Sequence, residues 1–323
     1  MLDYIVIFFL FQIRQAILDP SKMGNNLKVA ECHEELAYAL YCKNYTNYTI
    51  FVEVLIHCKD SYIIRNKLSI PDNHFLMTRT LTILALIIEE MFVDASTVQH
   101  NDSFDMFVRW SKNVFPSFWF IKNKMLYDKE TALKWCETIH DNALKTYLKA
   151  FGSEHFLVGK SYSNLGRLYQ TMKLSKASVH AHTKSIQIYR NIFGKNHYMT
   201  ATVYGLLASV LTYNLKYKDV ETENKAEKLY LKAIAIFKAY FGENCLYLEY
   251  YYRGLIKLYK KRNWFGYLHY SNILTQWQML KNDENYEKKE GEDSEEIDIE
   301  KLITKIIQVS PEFFFVHNDI IIY

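Results

Sequence analysis

The sequence predicts an all-α protein, an α-solenoid of stacked helical hairpins, and three observations carry that expectation. Only 10 Gly and 4 Pro occur among 323 residues, too few turn formers for a sandwich or barrel. The dipeptide Phe-Gly recurs at Phe151-Gly152, Phe193-Gly194 and Phe241-Gly242, at intervals of 42 and 48 residues. The flanks of the three dipeptides repeat residue sizes as well as spacing, as serial helical units require.

Taken in chain order, Tyr4 to Ile13 is an apolar run, too short to span a bilayer. Asp3 stands where a signal peptide wants positive charge. Residues 1–26 are therefore expected to hold part of a helix of a preceding repeat. Leu27 to Tyr41 and Tyr48 to Arg65 predict a hairpin closed by Ile70-Pro71-Asp72. Phe75 to Val93 pairs with Lys129 to Ala150. The aromatic-rich stretch Asp94 to Asp128 between them contains Pro116 and is expected to be partly irregular.

The two central hairpins are defined by their columns. Leu165, Leu207 and Leu255 stand fourteen residues after each Phe of the Phe-Gly dipeptides, and Tyr169, Leu211 and Tyr259 four further on. Before each Phe stand Cys136, Ser178 and Ala226, then His140, His182 and Tyr230, then Ala143, Ser185 and Ala233. Small residues let two helix backbones approach, and a ring or Leu fills the space beside them. Tyr162, Leu165, Gly166 and Tyr169 occupy the intervals of a tetratricopeptide first helix, and Ser178, His182 and Ser185 those of the second. Phe-Gly then ends each second helix, because glycine accepts the left-handed conformation common there.

Tyr247 to Lys261 and Trp264 to Leu280 predict a last pair without clean small-residue columns, as befits a cap. The repeat array is thus expected over residues 27–280. Residues 281–300 are expected to be an acidic disordered linker, and 301–323 a C-terminal tail bearing Phe313-Phe314-Phe315-Val316 and Ile320-Ile321-Ile322.

Charge is divided along the chain. Residues 283–300 hold ten Asp/Glu against two Lys, a local −8 within an overall +3, which leaves +11 elsewhere. The Lys and Arg of that basic body are dispersed among Tyr, Leu and Ile, so peptide or acidic-protein partners are expected, with no nucleic acid and no membrane insertion. Five Cys at wide spacings, without a Cys-x-x-Cys pair, suit reduced thiols.

No Walker loop, dinucleotide fingerprint, His-Glu-x-x-His or Gly-x-Ser-x-Gly occurs. The expectation is a protein without enzymatic activity, cofactor or metal. His180 and His182 with Cys136 or Cys245 are read as packing residues, since His182 shares a column with His140 and Tyr230. Cys32-His33 and His57-Cys58 are adjacent pairs with the wrong ligand spacing.

The candidate binding residues are first-helix positions outside the packing columns, which stacked hairpins present along one concave groove. Around Gly166 these are Lys160, Asn164, Arg167 and Gln170. The middle unit offers Thr202, Ser209 and Tyr213, and the last pair Arg253, Lys257 and Lys260. Asn can hydrogen-bond both sides of an extended peptide backbone, and Arg or Lys can take a carboxylate. Lys160, Asn164, Arg167, Arg253 and Lys257 form the peptide-binding set, suited to acidic or C-terminal peptide ends. The alternative for each is an ordinary solvated side chain.

The segments Lys28 to Tyr41, Ser163 to Gln170, Ala226 to Leu231 and Tyr252 to Tyr259 resemble the C-terminal half of the amyloid protein-binding protein two family, kinesin-light-chain-like tetratricopeptide adaptors. The likeness runs over roughly residues 20 to 280 and includes exposed positions that repeat packing does not require. It implies a cytosolic, also nuclear and microtubule-associated, substrate receptor of a cullin-2 RING ubiquitin ligase. Such a receptor is linked through Elongin B and C, binds C-terminal degrons, and couples the amyloid precursor tail to microtubule transport. The family's Elongin-binding box lies in the N-terminal half, so ligase assembly is expected only where that half is supplied. The rival expectation is a microtubule or kinesin-associated scaffold without a ligase role.

Overall fold

The computed structural model describes residues 27–43, 48–71, 74–93, 129–213, 220–243, 245, 247–260 and 262–290. Among these the helices are α1 (Leu27–Lys43), α2 (Tyr48–Lys67), α3 (Phe75–Val93), α4 (Lys129–Phe151) and α5 (Phe156–Thr171), followed by α6 (Ser175–Phe193), α7 (Tyr198–Tyr213), α8 (Val220–Phe241), α9 (Leu248–Tyr259) and α10 (Trp264–Glu290). They fall into two compact units, one holding the α1–α2 hairpin up to Ile70 and one running from Pro71 to Glu287. The expected helix before residue 27, the irregular stretch 94–128 and the tail 301–323 lie outside the described residues.

In the larger unit each helix packs on its neighbour in sequence from α3 to α9. The columns explain how. Cys136, Ser178 and Ala226 are fully buried, as are His140 and His182, with Tyr230 at 1% exposure. Ala143, Ser185 and Ala233 are buried to within 1%, and Leu165, Leu207 and Leu255 to within 5%. Residues that the repeat aligns are therefore buried alike, as a serial stack of helical hairpins requires. A core cluster joins α7, α8, α9 and α10 through Tyr204, Tyr230, Phe237, Leu255 and Trp277.

Glycine closes each second helix as its conformation allows. Gly152, Gly194 and Gly242 have φ of 80°, 89° and 81°, and each donates its N–H to the carbonyl four residues back, Leu148, Arg190 and Lys238, at 2.9–3.1 Å. A left-handed residue costs roughly 1–2 kcal/mol for any side chain with a Cβ. Three residues later the chain starts its next first helix on a histidine. His155 stacks on Phe151 at 4.4 Å and its Nδ1 accepts from the Leu157 N–H at 3.3 Å. His197 stacks on Phe193 at 4.7 Å and accepts from the Met199 N–H at 3.2 Å. The third unit places Cys245 there, and the Leu248 N–H donates to its carbonyl at 3.0 Å.

One boundary differs from expectation. α10 continues to Glu290, ten residues into the segment read as acidic linker. Glu and Lys, frequent in that stretch, are good helix formers. Charge density alone misplaced that boundary.

In the smaller unit α1 packs on α2. Arg65 donates to the Glu34 carboxylate in an ion pair whose partners are both buried. Cys32, Cys58, Cys136 and Cys245 are buried and carry no disulfide. No helix among the described residues is long and apolar enough to cross a membrane.

Candidate functional site

Besides packing on their sequence neighbours, the first helices touch one another: α3 meets α5, α5 meets α7 and α7 meets α9. A polar contact bridges every junction. Arg167 on α5 pairs with Glu90 on α3, and Thr171 donates to Glu89 at 3.4 Å. Gln170 on α5 donates to Ser209 on α7 at 2.9 Å. Lys257 on α9 sets its ammonium 3.7 Å from the centre of the Tyr213 ring on α7, a cation–π contact. These residues lie in the C-terminal halves of their helices, so the bridges follow one line along the row.

The expected binding residues divide along that line. Arg253, Lys257 and Tyr213 come together at the α7–α9 junction. The Arg253 side chain is 59% exposed and pairs with Glu249 one turn back at 2.6 Å, while its charge restrains a Tyr213 hydroxyl whose pKa burial raises. Lys160 is half-buried on α5. Asn164, expected as an uncovered position, is only 7% exposed, and Ser209 only 6%, because α5 and α7 are each covered by helices on several sides. Thr202 is exposed and donates to the Tyr198 carbonyl at 3.0 Å. Lys260 is exposed just beyond α9.

Arg167 belongs to a group the sequence did not reveal. Burial raises the Glu89 carboxyl to about 7 against the opposing pull of Arg167. Burial, aided by the Arg167 charge, lowers His140 and His182 to about 3, so both rings are neutral. Their nitrogens have no hydrogen-bond partner among the described residues. His182 lies instead with its ring against the backbone of Gly166, which makes it a packing residue. Glu89 and Arg167 are 78 positions apart in sequence, and no local motif announces their meeting.

The adjacent pairs of the smaller unit also combine across helices. His33 and His57 face one another between α1 and α2, and Asp60 joins them. Judging Cys32-His33 and His57-Cys58 by local spacing missed this, since the histidines come from different helices.

Comparison with known proteins follows the same lines. The family profile described as tetratricopeptide repeat matches residues 158–198. Amyloid protein-binding protein 2 of Rattus norvegicus and that of Mus musculus are each 34% identical over 276 residues, 83% of this chain. The chain spans 41% of the length of either relative. The crystal structure of BtubC (BKLC) from P. vanneervenii superposes with a TM-score of 0.50 at 13% identity, over 88% of this chain and 92% of that one, a likeness of fold.

Proposed function

The chain belongs to the amyloid protein-binding protein 2 family, and from that premise we propose that it is a non-enzymatic protein-interaction adaptor receiving an extended client segment or free C-terminus along its first helices. The observation that carries the proposal is the row α3–α5–α7–α9, whose members touch directly and are bridged by polar side chains at each junction. Direct packing of successive first helices suits a concave inner side, and a polar line along it offers partners to a peptide backbone.

At the α9 end, Arg253 and Lys257 supply charge-assisted hydrogen bonds to a terminal carboxylate. Lys160 and Asn164 stand one turn apart on α5, with Asn164 as a floor group for peptide N–H and C=O. Arg167 sets the α3–α5 junction through Glu90. The client class is an acidic tail or C-terminal degron, the amyloid precursor tail included. When the Elongin-binding half is supplied, the adaptor serves as substrate receptor of a cullin-2 RING ubiquitin ligase through Elongin B and C, in the cytoplasm and nucleus.

The basic body favours one rival, a scaffold on the acidic tails of microtubules or a kinesin partner. Fluorescence anisotropy with an amyloid precursor tail peptide, carrying a free or an amidated C-terminus, separates the two. The adaptor reading expects the free carboxylate to bind tighter and Arg253→Glu or Lys257→Glu to weaken it about tenfold or more. Binding that ignores amidation and both substitutions but collapses with salt supports the scaffold instead.

A further inference from the structure

Two imidazoles meet nitrogen to nitrogen inside the α1–α2 hairpin. His33 Nδ1 lies 2.9 Å from His57 Nδ1, with ring centroids 5.1 Å apart. Asp60 follows His57 by three residues, which sets both side chains on one face of α2. One ligand atom from each of the three residues lies within 4.8 Å of the others. The three converge from two helices, although His33 and His57 are 24 residues apart in sequence.

As they stand, these groups serve one another poorly. One Nδ1 must give a proton to the other, so the pair makes a single neutral hydrogen bond, and the neighbouring carboxylate loses hydration. Burial lowers both histidines to about 4 and raises Asp60. A neutral imidazole keeps a lone pair that a metal ion can take.

We propose that His33, His57 and Asp60 form a binding site for a divalent transition-metal ion of the zinc class, which clamps α1 to α2. The cation takes a lone pair from each ring and sets its charge against the carboxylate. Zinc–nitrogen bonds of about 2.0–2.1 Å at a tetrahedral angle separate two nitrogens by about 3.4 Å, so the rings need to part by only a few tenths of an ångström. Two imidazoles with a carboxylate suit zinc and its first-row neighbours better than calcium or magnesium. Cys32 and Cys58 neighbour the histidines in sequence, yet the converging ligand atoms are those of His33, His57 and Asp60 alone. Three protein ligands leave the fourth position to water or another donor.

Cobalt(II), added alone to the full chain, tests the site, because tetrahedral cobalt absorbs visibly and octahedral aqueous cobalt barely does. The proposal expects saturation near one equivalent and a rise in melting temperature with cobalt or zinc. It expects both to vanish in His33→Asn/His57→Asn, whose fold is checked by circular dichroism. Should that variant unfold, Asp60→Asn carries the test: it keeps the histidine pair and should bind cobalt at least about tenfold more weakly. No tetrahedral absorption in the wild type, or binding unchanged in the variants, overturns the proposal.

Discussion

A Cβ built on Gly166 of α5 would stand 2.5 Å from Cε1 of the His182 ring on α6. The two helices meet at a separation that only a missing side chain against a flat ring permits. The same pairing recurs between Gly254 and Tyr230, the next ring of that column. Here a sequence column becomes a helix–helix distance.

Gly166→Ala is therefore expected to destabilise the chain. In an open helix the change would gain about 1 kcal/mol. Overpacking against a fully buried ring costs roughly 1–3 kcal/mol, and His182 cannot swing away. Urea denaturation should show a lower midpoint for Gly166→Ala and recovery of much of the loss in Gly166→Ala/His182→Ala, a coupling expected only of residues in contact.

The buried histidines predict a dependence on acid. An unfolded histidine titrates near 6.5, whereas His140 and His182 are held at about 3. Below pH 6.5 the unfolded chain binds protons that the folded chain refuses, so stability that is complete above 6.5 is lost as the pH falls toward 3. Glu89 has the opposite sign: raised to about 7 from 4.5, its contribution is complete below 4.5 and lost as the pH rises through 7. These groups together place maximal stability at about pH 6.5. Replacing His182 by Phe should flatten the acid limb between pH 4.5 and 6.5 by about 1.4 kcal/mol per pH unit relative to wild type, read from urea midpoints.

The ion pair of the smaller unit predicts an asymmetry. Removing one partner, as in Arg65→Met, takes the guanidinium from the buried Glu34 carboxylate and should cost about 3–5 kcal/mol. Replacing both, in Glu34→Leu/Arg65→Met, should recover most of that. Thermal unfolding of the single and double variants measures the difference, and equal losses in both would contradict the pairing.

Most helix boundaries were legible because packing wrote them into the sequence. Phe-Gly ends α4, α6 and α8 at the expected residues, since the left-handed turn admits little besides glycine. The Phe-Gly-x-x-His spacing before α5 and α7 is an equally local signal, of a ring that stacks backward and caps forward. The α10 end was misjudged because its charge pattern resembles a linker while its Glu and Lys favour helix. Candidate site residues were legible as positions on first helices, yet not by exposure: Asn164 and Ser209 are buried on helices packed on several sides. Arg167 with Glu90, and His33 with His57, depend on contacts 77 and 24 residues apart, which no spacing rule within one helix reports.

Photo-crosslinking tests the central proposition most directly. An amyloid precursor tail peptide with a photoreactive residue near its free C-terminus is irradiated with the chain, and the adducts are mapped by mass spectrometry. Adducts concentrated on α5, α7 and α9, around Tyr213, Arg253 and Lys257, and lost with Lys257→Glu, are the predicted result. Adducts concentrated on the second helices α6 and α8, with the first-helix row unmarked, would contradict it.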